Sequence, residues 1–129
     1  MTAVDTNLLV RLLTNDDPGQ AKRAAKVIES DDILIPKTVL LEAEWVLRHA
    51  YGIDGKAISR GFQKVLGLPN VRVEDQQAVV QAISWYELGF DFADALHLAS
   101  SIEADKFVTF DRSFIKKARE HGLLDIALP

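Results

Sequence analysis

Short apolar runs alternate with longer amphipathic segments along this chain. The runs predict short strands near residues 2–5, 33–35, 71–73, 107–109 and 126–128, the last at a sheet edge. Apolar residues at helical spacing predict helices at 8–13, 18–30, 37–51, 56–66, 76–88, 92–104 and 112–120. Because strands of buried type alternate with helices, we expect a three-layer α/β fold with a mainly parallel central sheet. The sheet would have about four or five short strands, flanked by about seven helices.

The composition is that of an ordinary globular domain. The 129 residues are 48% hydrophobic and 26% charged, and we expect a single domain over residues 1–129. No apolar run approaches the roughly 20 residues of a membrane span, and we expect neither a membrane segment nor a signal peptide. The lack of cysteine excludes disulfides and cysteine zinc sites, and it is consistent with a cytoplasmic protein.

The net charge of the chain is −4. Proteins that bind nucleic acid are usually basic, so the bulk charge argues mildly against such a partner. The objection weakens if several acids surround divalent cations, because the ions then reverse the local field. The arrangement of the acids therefore matters more than their number.

Two aspartates stand directly after predicted strands. Asp5 follows the first apolar run, and Asp111 follows the run that begins at residue 107. Each has an ordinary role as the N-cap of the next helix, although Thr6 or Asn7 could cap the first helix instead. Parallel strands end at the same edge of a sheet, where sites of α/β proteins form. If these two strands are neighbours, both carboxylates come within reach of one ion.

Two glutamates flank the apolar stripe of the helix at 37–51. At about 100° per residue, Glu42 lies roughly 90° from the centre of the stripe, and Glu44 has a similar offset on the other side. Periodicity does not choose between them as a site residue. For either one alone, a solvated side chain on the helix flank is the simpler interpretation.

Two further acids begin the helix at 92–104. Asp91 is a natural N-cap, and Asp94 lies in the first turn, where a negative charge favours the helix dipole. Asp94, His97 and Ser101 share a polar face at spacings of three and four. An aspartate and a histidine at that spacing can hold a metal, although a solvated histidine is more common.

Together these acids predict an acidic pocket. Carboxylates brought close together repel each other, and their pKa values rise. Hard divalent cations such as Mg²⁺ and Mn²⁺ make such a cluster tolerable, since they prefer carboxylate oxygens. These ions activate water and stabilise the attacking and leaving oxygens at a phosphate.

Four short segments of the chain occur in a recognisable order. They are Val4-Asp5-Thr6-Asn7, Leu41-Glu42-Ala43, Phe92-Ala93-Asp94-Ala95-Leu96-His97 and Thr109-Phe110-Asp111-Arg112-Ser113-Phe114. In this order and at this spacing they resemble the motifs of PIN-domain ribonucleases, most closely the VapC-type toxins of bacterial and archaeal toxin–antitoxin pairs. Each segment alone is weakly specific, but the ordered set spans nearly the whole chain.

The resemblance implies which acids act. The family pattern gives a catalytic, metal-binding quartet of Asp5, Glu42, Asp94 and Asp111, and so favours Glu42 over Glu44 and Asp94 over Asp91. Some relatives share the extra acid at Asp91, whose role stays open. The resemblance also implies that four polar residues orient the carboxylates or waters, namely Thr6, Asn7, Thr109 and Ser113.

The resemblance further implies an activity and partners. It predicts a Mg²⁺- or Mn²⁺-dependent endoribonuclease in which activated water attacks an RNA phosphate in line and the 3′ oxygen leaves. VapC-type proteins cut structured RNAs such as transfer RNA or a ribosomal loop. They pair with a small DNA-binding antitoxin of the VapB type and are commonly homodimers.

The sequence itself offers further candidates for contacts. Leu41, Trp45 and Arg48 lie opposite the apolar stripe of their helix, which indicates either a contact patch for a partner or a helix buried on both sides. Candidates for RNA phosphate contacts are basic residues, each of which could equally be solvated: Lys37, Arg48, Arg112, Lys116 and Lys117.

Two other classes of protein compete with this interpretation. A phosphotransfer domain of receiver or haloacid-dehalogenase type also places an aspartate after its first strand. The phosphatase pattern needs a second acid two residues later, where this chain has Asn7, and the acid pair and lysine of a receiver are not clear. The second alternative is a catalytically inactive PIN-like binding module, against which the intact quartet argues.

Overall fold

Five short strands form two parallel sheets in the computed structural model, which describes residues 1–123 and 125–129. The strands are β1 (Thr2–Ala3), β2 (Ile33–Ile35), β3 (Val71–Val73), β4 (Phe107–Val108) and β5 (Ile126–Ala127). One sheet has the order β1-β2-β3, with Ile33 in register with both Thr2 and Val71. The other pairs β4 with β5.

Seven helices within the described residues connect and flank these strands. They are α1 (Thr6–Leu13), α2 (Pro18–Ser30), α3 (Lys37–His49), α4 (Gly55–Leu66), α5 (Gln76–Glu87), α6 (Phe92–Ala99) and α7 (Arg112–Glu120). The alternation of parallel strands with helices confirms the predicted α/β class. None of the helices in the described residues combines the length and apolar character needed to cross a bilayer.

Helix starts follow the capping residues in the sequence. Asp17 accepts a hydrogen bond from the Gln20 N–H, and Pro18 is the first residue of α2, as predicted. Asp54 caps α4 in the same way through the Ala57 N–H. These short polar side chains satisfy N–H groups that have no partner inside the helix.

One helix is shorter than predicted. The expected helix at 92–104 ends at Ala99, because the backbone tightens beyond it. The Ser101 N–H donates to the Leu98 oxygen, three residues back, and the Ser101 hydroxyl donates to the His97 carbonyl oxygen at 2.7 Å. A serine hydroxyl that competes in this way for a backbone carbonyl favours a turn over a further helical turn.

The core lies between the sheets and the helices. Its largest fully buried side chains include Phe62, Phe92, Leu9, Ile33 and Leu47. The stripe predicted for α3 is confirmed where Leu40, Ala43 and Leu47 are buried. Burial of these faces fixes which side of each helix remains for a polar site.

Candidate active site

The carboxyl edge of the three-stranded sheet holds the first candidate acid. The Val4 N–H donates to the Leu34 oxygen at 3.2 Å, which carries the β1 pairing one residue past the strand. Asp5 follows at this edge, and its side chain is exposed. The sequence prediction that this strand delivers an acid to the sheet edge is therefore confirmed.

Asp5 is also the N-cap of α1. Its Oδ1 accepts a hydrogen bond from the Leu8 N–H at 3.0 Å, so the idea that Thr6 or Asn7 caps this helix is wrong. Thr6 and Asn7 instead form the first turn of α1. No described residue donates a hydrogen bond to Asp5 Oδ2. Capping and ligand binding are compatible, because the cap occupies one carboxylate oxygen.

Asp111 repeats this arrangement at the start of α7. Its Oδ1 accepts from the Phe114 N–H at 3.0 Å and from the Ser113 hydroxyl at 2.7 Å. The Asp111 N–H donates to the Thr109 hydroxyl oxygen at 3.1 Å. The hydrogen bond from Ser113 and the capped N–H group lower the pKa of Asp111 below its ordinary value. Thr109 and Ser113 thus fix the position of an ionised carboxylate.

Asp91 and Asp94 begin α6 as predicted, and they differ in environment. Asp91 Oδ2 caps the helix through the Asp94 N–H at 3.0 Å, and its Oδ1 lies 3.4 Å from an Arg48 nitrogen. Asp94 is half-buried. Burial raises the pKa of Asp94, and the negative charges of Asp91 and Asp111 raise it further, while His97 opposes the shift.

Asp91 and Asp94 stand at the start of α6, and Asp111 caps α7. The charge of Asp111 is a smaller cause of the raised pKa of Asp94 than burial or the charge of Asp91. β4, which leads to Asp111, pairs with β5 and not with β1. The condition that the two strands be neighbours is therefore not met within the hydrogen-bonded sheets of the described residues.

The other two predicted acids are Asp5, which caps α1, and Glu42, which lies on α3. The helix α3 packs against both α1 and α6, and Glu42 is exposed on it. Across residues 1–123 and 125–129, no three acidic or histidine side chains are arranged as a ready metal-binding group. The contacts of α3 with α1 and α6 place the helix of Glu42 beside the helix that Asp5 caps and the helix whose first turn holds Asp94.

Glu44 has the opposite environment from Glu42, and the expectation that it is solvated is wrong. It is only 2% exposed. Its Oε2 accepts from the Tyr86 hydroxyl at 2.9 Å, and its Oε1 lies 3.3 Å from an Arg48 nitrogen. Burial and the Glu44 carboxylate raise the pKa of Tyr86, which therefore stays a neutral donor.

Arg48 connects this buried carboxylate to the acids at α6. Its Nε lies 2.8 Å from Glu44 Oε2, close enough for an ion pair, although the N–H group does not point at the oxygen. A second nitrogen reaches Asp91, the cap of α6. Glu44, Arg48 and Asp91 form a polar network from the core to the first turn that carries Asp94. Sequence reasoning missed this network, since only the i,i+4 spacing of Glu44 and Arg48 hinted at a pair.

Lys37 belongs to another polar group, at the carboxyl edge of the three-stranded sheet. Its Nζ lies 3.0 Å from Asp75 and 3.3 Å from the Ser100 hydroxyl. Its backbone N–H donates to the Glu74 carboxylate. These contacts tie the start of α3 to the end of β3 and to the end of α6, so Lys37 is not a simple solvated lysine.

The remaining candidates for phosphate contacts divide into two kinds. Lys117 donates to the Gly89 oxygen at 2.8 Å and lies 5.7 Å from the centre of the Phe90 ring. Gly89 has a φ of 97°, and a Cβ there would approach the Lys117 amine to 2.9 Å. Arg112 and Lys116 are exposed. Of the candidates, these two most resemble open phosphate contacts.

The predicted contact patch on α3 is partly exposed. Trp45 is 58% exposed and its ring lies 4.8 Å from that of His49. Leu41 is half-buried and packs against the core. The alternative that α3 is buried on both sides is therefore wrong at Trp45.

No curated protein matches the chain. Among solved structures, the chain resembles the VapC20 toxin of Mycobacterium tuberculosis, described as cleaving the sarcin–ricin loop, with 22% identity and a TM-score of 0.44. The match covers 89% of this chain and 93% of that one. The model of the PIN domain family matches residues 2–120, a range that includes every acid described above, and the chain belongs to that family.

Proposed function

We propose that this protein is an endoribonuclease whose activity depends on Mg²⁺ or Mn²⁺. The observation that carries the proposal is the position of the acids: Asp5 and Asp111 cap α1 and α7, and half-buried Asp94 lies in the first turn of α6. Partial burial raises the pKa of the Asp94 carboxyl group, and the charges of Asp91 and Asp111 raise it further. Such repulsion is relieved when a divalent cation binds. Membership of the PIN domain family supports nuclease activity.

The donor chemistry of the region fits a hard divalent cation. Asp5, Glu42, Asp94 and Asp111 would hold it, since carboxylate oxygens are the ligands that Mg²⁺ and Mn²⁺ prefer. Asp91 is less suited, because one of its oxygens caps α6 and the other pairs with Arg48. A bound divalent cation would supply the activation of water and the stabilisation of charge at the phosphate.

The residues around the carboxylates have separate tasks. Ser113 and Thr109 hold Asp111 in place, and Asp91 fixes the first turn that carries Asp94. Thr6 and Asn7 lie beside Asp5 in the first turn of α1, where they would orient carboxylate or water.

We further propose that the protein is a VapC-type toxin. The four motifs described above support this assignment by their order and spacing. The substrate would be a structured RNA, either transfer RNA or ribosomal RNA, in the cytoplasm. A VapB-type antitoxin would neutralise the enzyme, and the protein would act as a homodimer. Leu41 and exposed Trp45 are the proposed partner contacts.

Cleavage of RNA with and without divalent cation tests the proposal. Total RNA incubated with Mg²⁺ or Mn²⁺ should be cut at defined sites, and Asp94→Asn, Glu42→Gln or a chelator should abolish cutting. Glu29→Gln is the matched control, because Glu29 is an exposed acid on α2. Sequencing the RNA ends would identify the target.

Two outcomes contradict the proposal. Cleavage that survives both Asp94→Asn and the chelator would exclude the metal-dependent mechanism. A folded protein that neither cuts RNA nor gains thermal stability from Mg²⁺ or Mn²⁺ would favour the inactive binding module, since a ligand that binds the native state raises its melting temperature.

A further inference from the structure

Phe110 is the most exposed large hydrophobic residue in the described chain. It is 84% exposed, and it stands directly before Asp111 in the turn between β4 and α7. An exposed phenylalanine contributes little to the hydrophobic core, so core packing does not explain why a phenylalanine stands at this position. Because Phe110 is the neighbour of Asp111, a proposed metal ligand, its ring lies where a bound substrate could contact it.

The backbone on both sides of Phe110 is held in place. The Thr109 N–H donates to the Ala127 oxygen at 3.0 Å, which continues the pairing of β4 with β5. The Asp111 N–H donates to the Thr109 hydroxyl oxygen, and Asp111 itself caps α7. The ring is therefore presented from a fixed turn, which lowers the entropy cost of using it as a contact.

Basic side chains begin two residues after Phe110. Arg112 and Lys116 are exposed on α7, and together with Arg119 they line one shallow cavity on its surface. Their spacing of four and three places them along one face of the helix. An aromatic platform at the end of a basic stripe is the arrangement that binds single-stranded nucleic acid, with bases stacked on rings and phosphates on cations.

We propose that Phe110 stacks on an unpaired RNA base beside the phosphate that is cleaved, while Arg112, Lys116 and Arg119 follow the strand. The inference rests on the proposed ribonuclease function and names the form of RNA that the site accepts. An unpaired base fits because bases within a duplex are already stacked on their neighbours.

Binding of two short probes separates stacking from electrostatics. The first probe is a fluorescein-labelled oligoadenylate of about 12 nucleotides, a length that one binding groove can hold. The second probe is the same ribose-phosphate chain without bases. Fluorescence anisotropy, with a chelator present to prevent cleavage, gives both affinities. Phe110→Ala should weaken binding of the oligoadenylate by roughly 5- to 150-fold and leave the abasic chain unchanged. Phe110→Trp should restore the lost affinity.

Two control variants complete the experiment. Ile102→Ala removes a hydrophobic side chain of similar exposure, 76%, beyond the far end of α6 from Asp94, and it should affect neither probe. Lys116→Ala should weaken both probes alike and reduce the salt dependence of binding, since it removes a phosphate contact.

The results distinguish this inference from the function on which it rests. Base-dependent binding that needs Phe110, in a protein that does not cut RNA, would support the stacking site and contradict the nuclease. Cleavage with unchanged affinities in Phe110→Ala would overturn the stacking site and leave the nuclease intact, with a protein contact as the remaining role of the ring. Equal weakening of both probes by Phe110→Ala would also overturn stacking.

Discussion

Replacing Arg48 with methionine would leave Glu44 as a buried carboxylate without its cation. Glu44 is 2% exposed, and Arg48 approaches it to 2.8 Å. Removal of one partner of a buried ion pair costs about 3–5 kcal/mol, because the other charge remains desolvated. The Tyr86 hydroxyl would still donate to the carboxylate, which places the expected loss toward the lower end of that range.

The reverse substitution should cost less. Glu44→Gln keeps the size of the side chain and an acceptor for Tyr86. Arg48 would lose its buried partner, but its side chain is 39% exposed and it retains Asp91. Loss of hydrogen bonds that involve a charged group costs about 1.5–3 kcal/mol. The order of the two losses therefore reports which member of the pair is trapped in the core.

Thermal unfolding followed by circular dichroism measures both losses. For a chain of 129 residues, 1 kcal/mol corresponds to about 4 °C in melting temperature. We expect Arg48→Met to lower the melting temperature by about 12–16 °C and Glu44→Gln by about 6–12 °C. Glu42→Gln is the matched control on the same helix, and its effect should stay within about 0.5 kcal/mol because Glu42 is exposed.

A third variant tests the physical reason. The combined change Glu44→Leu, Arg48→Met and Tyr86→Phe removes both charges and the hydroxyl that would lack an acceptor. Apolar replacement of a buried ion pair is often neutral, so this variant should recover most of the stability lost in Arg48→Met. If Arg48→Met melts no lower than the Glu42→Gln control, the burial of a charged Glu44 is refuted. If the triple variant is the least stable of all, the network contributes more than the apolar contacts that replace it.

Further predictions concern Asp5 and the acid limb of stability. Asp5→Asn should keep the hydrogen bond to the Leu8 N–H and leave the melting temperature unchanged, while Asp5→Ala should reduce the free energy of unfolding by about 0.5–2 kcal/mol. Both variants should lose any stabilisation by Mg²⁺ or Mn²⁺. A normal metal response in Asp5→Asn would exclude Asp5 as a ligand. Hydrogen bonds from Tyr51, Thr14 and Arg11 lower the pKa of Asp16 below 3.8. The stability that Asp16 contributes is then present above about pH 3.8 and is lost as the pH falls through its lower folded pKa, so Asp16→Asn should flatten the decline of melting temperature in acid. An unchanged decline would show that other carboxyl groups control acid unfolding.

Much of the local structure could be read from the sequence because it depends on neighbouring residues. The cap at Asp17 with Pro18, the start of α6 at Asp91 and the start of α7 at Asp111 follow from side chains that bond to N–H groups three residues away. The strand at Ile33–Ile35 follows from an apolar run that Pro36 ends. The resemblance of the four motifs supplied the family, which the match over residues 2–120 confirmed.

The roles of Glu42 and Glu44 show where the sequence alone was not sufficient. Both lie at similar angles from the apolar stripe of α3, and periodicity describes one helix without its neighbours. Packing of α3 brings Tyr86 of α5 against Glu44 and leaves Glu42 in solvent. Tertiary packing therefore decided which glutamate is part of the core.

The environment of the acidic region also depended on the tertiary structure. The sequence by itself determined that Asp5 and Asp111 directly follow strands, and it left the cap of α1 open between Asp5, Thr6 and Asn7. It did not determine that β1 and β4 lie in separate sheets, or that Asp94 is half-buried while Asp91 and Asp111 are exposed. Strand order and helix packing depend on contacts between residues far apart in the chain. A local sequence pattern carries no information about the energy of those contacts. For this protein, the sequence supplied the carboxylates, and the packing of α3 and α6 set the burial of Glu44 and Asp94.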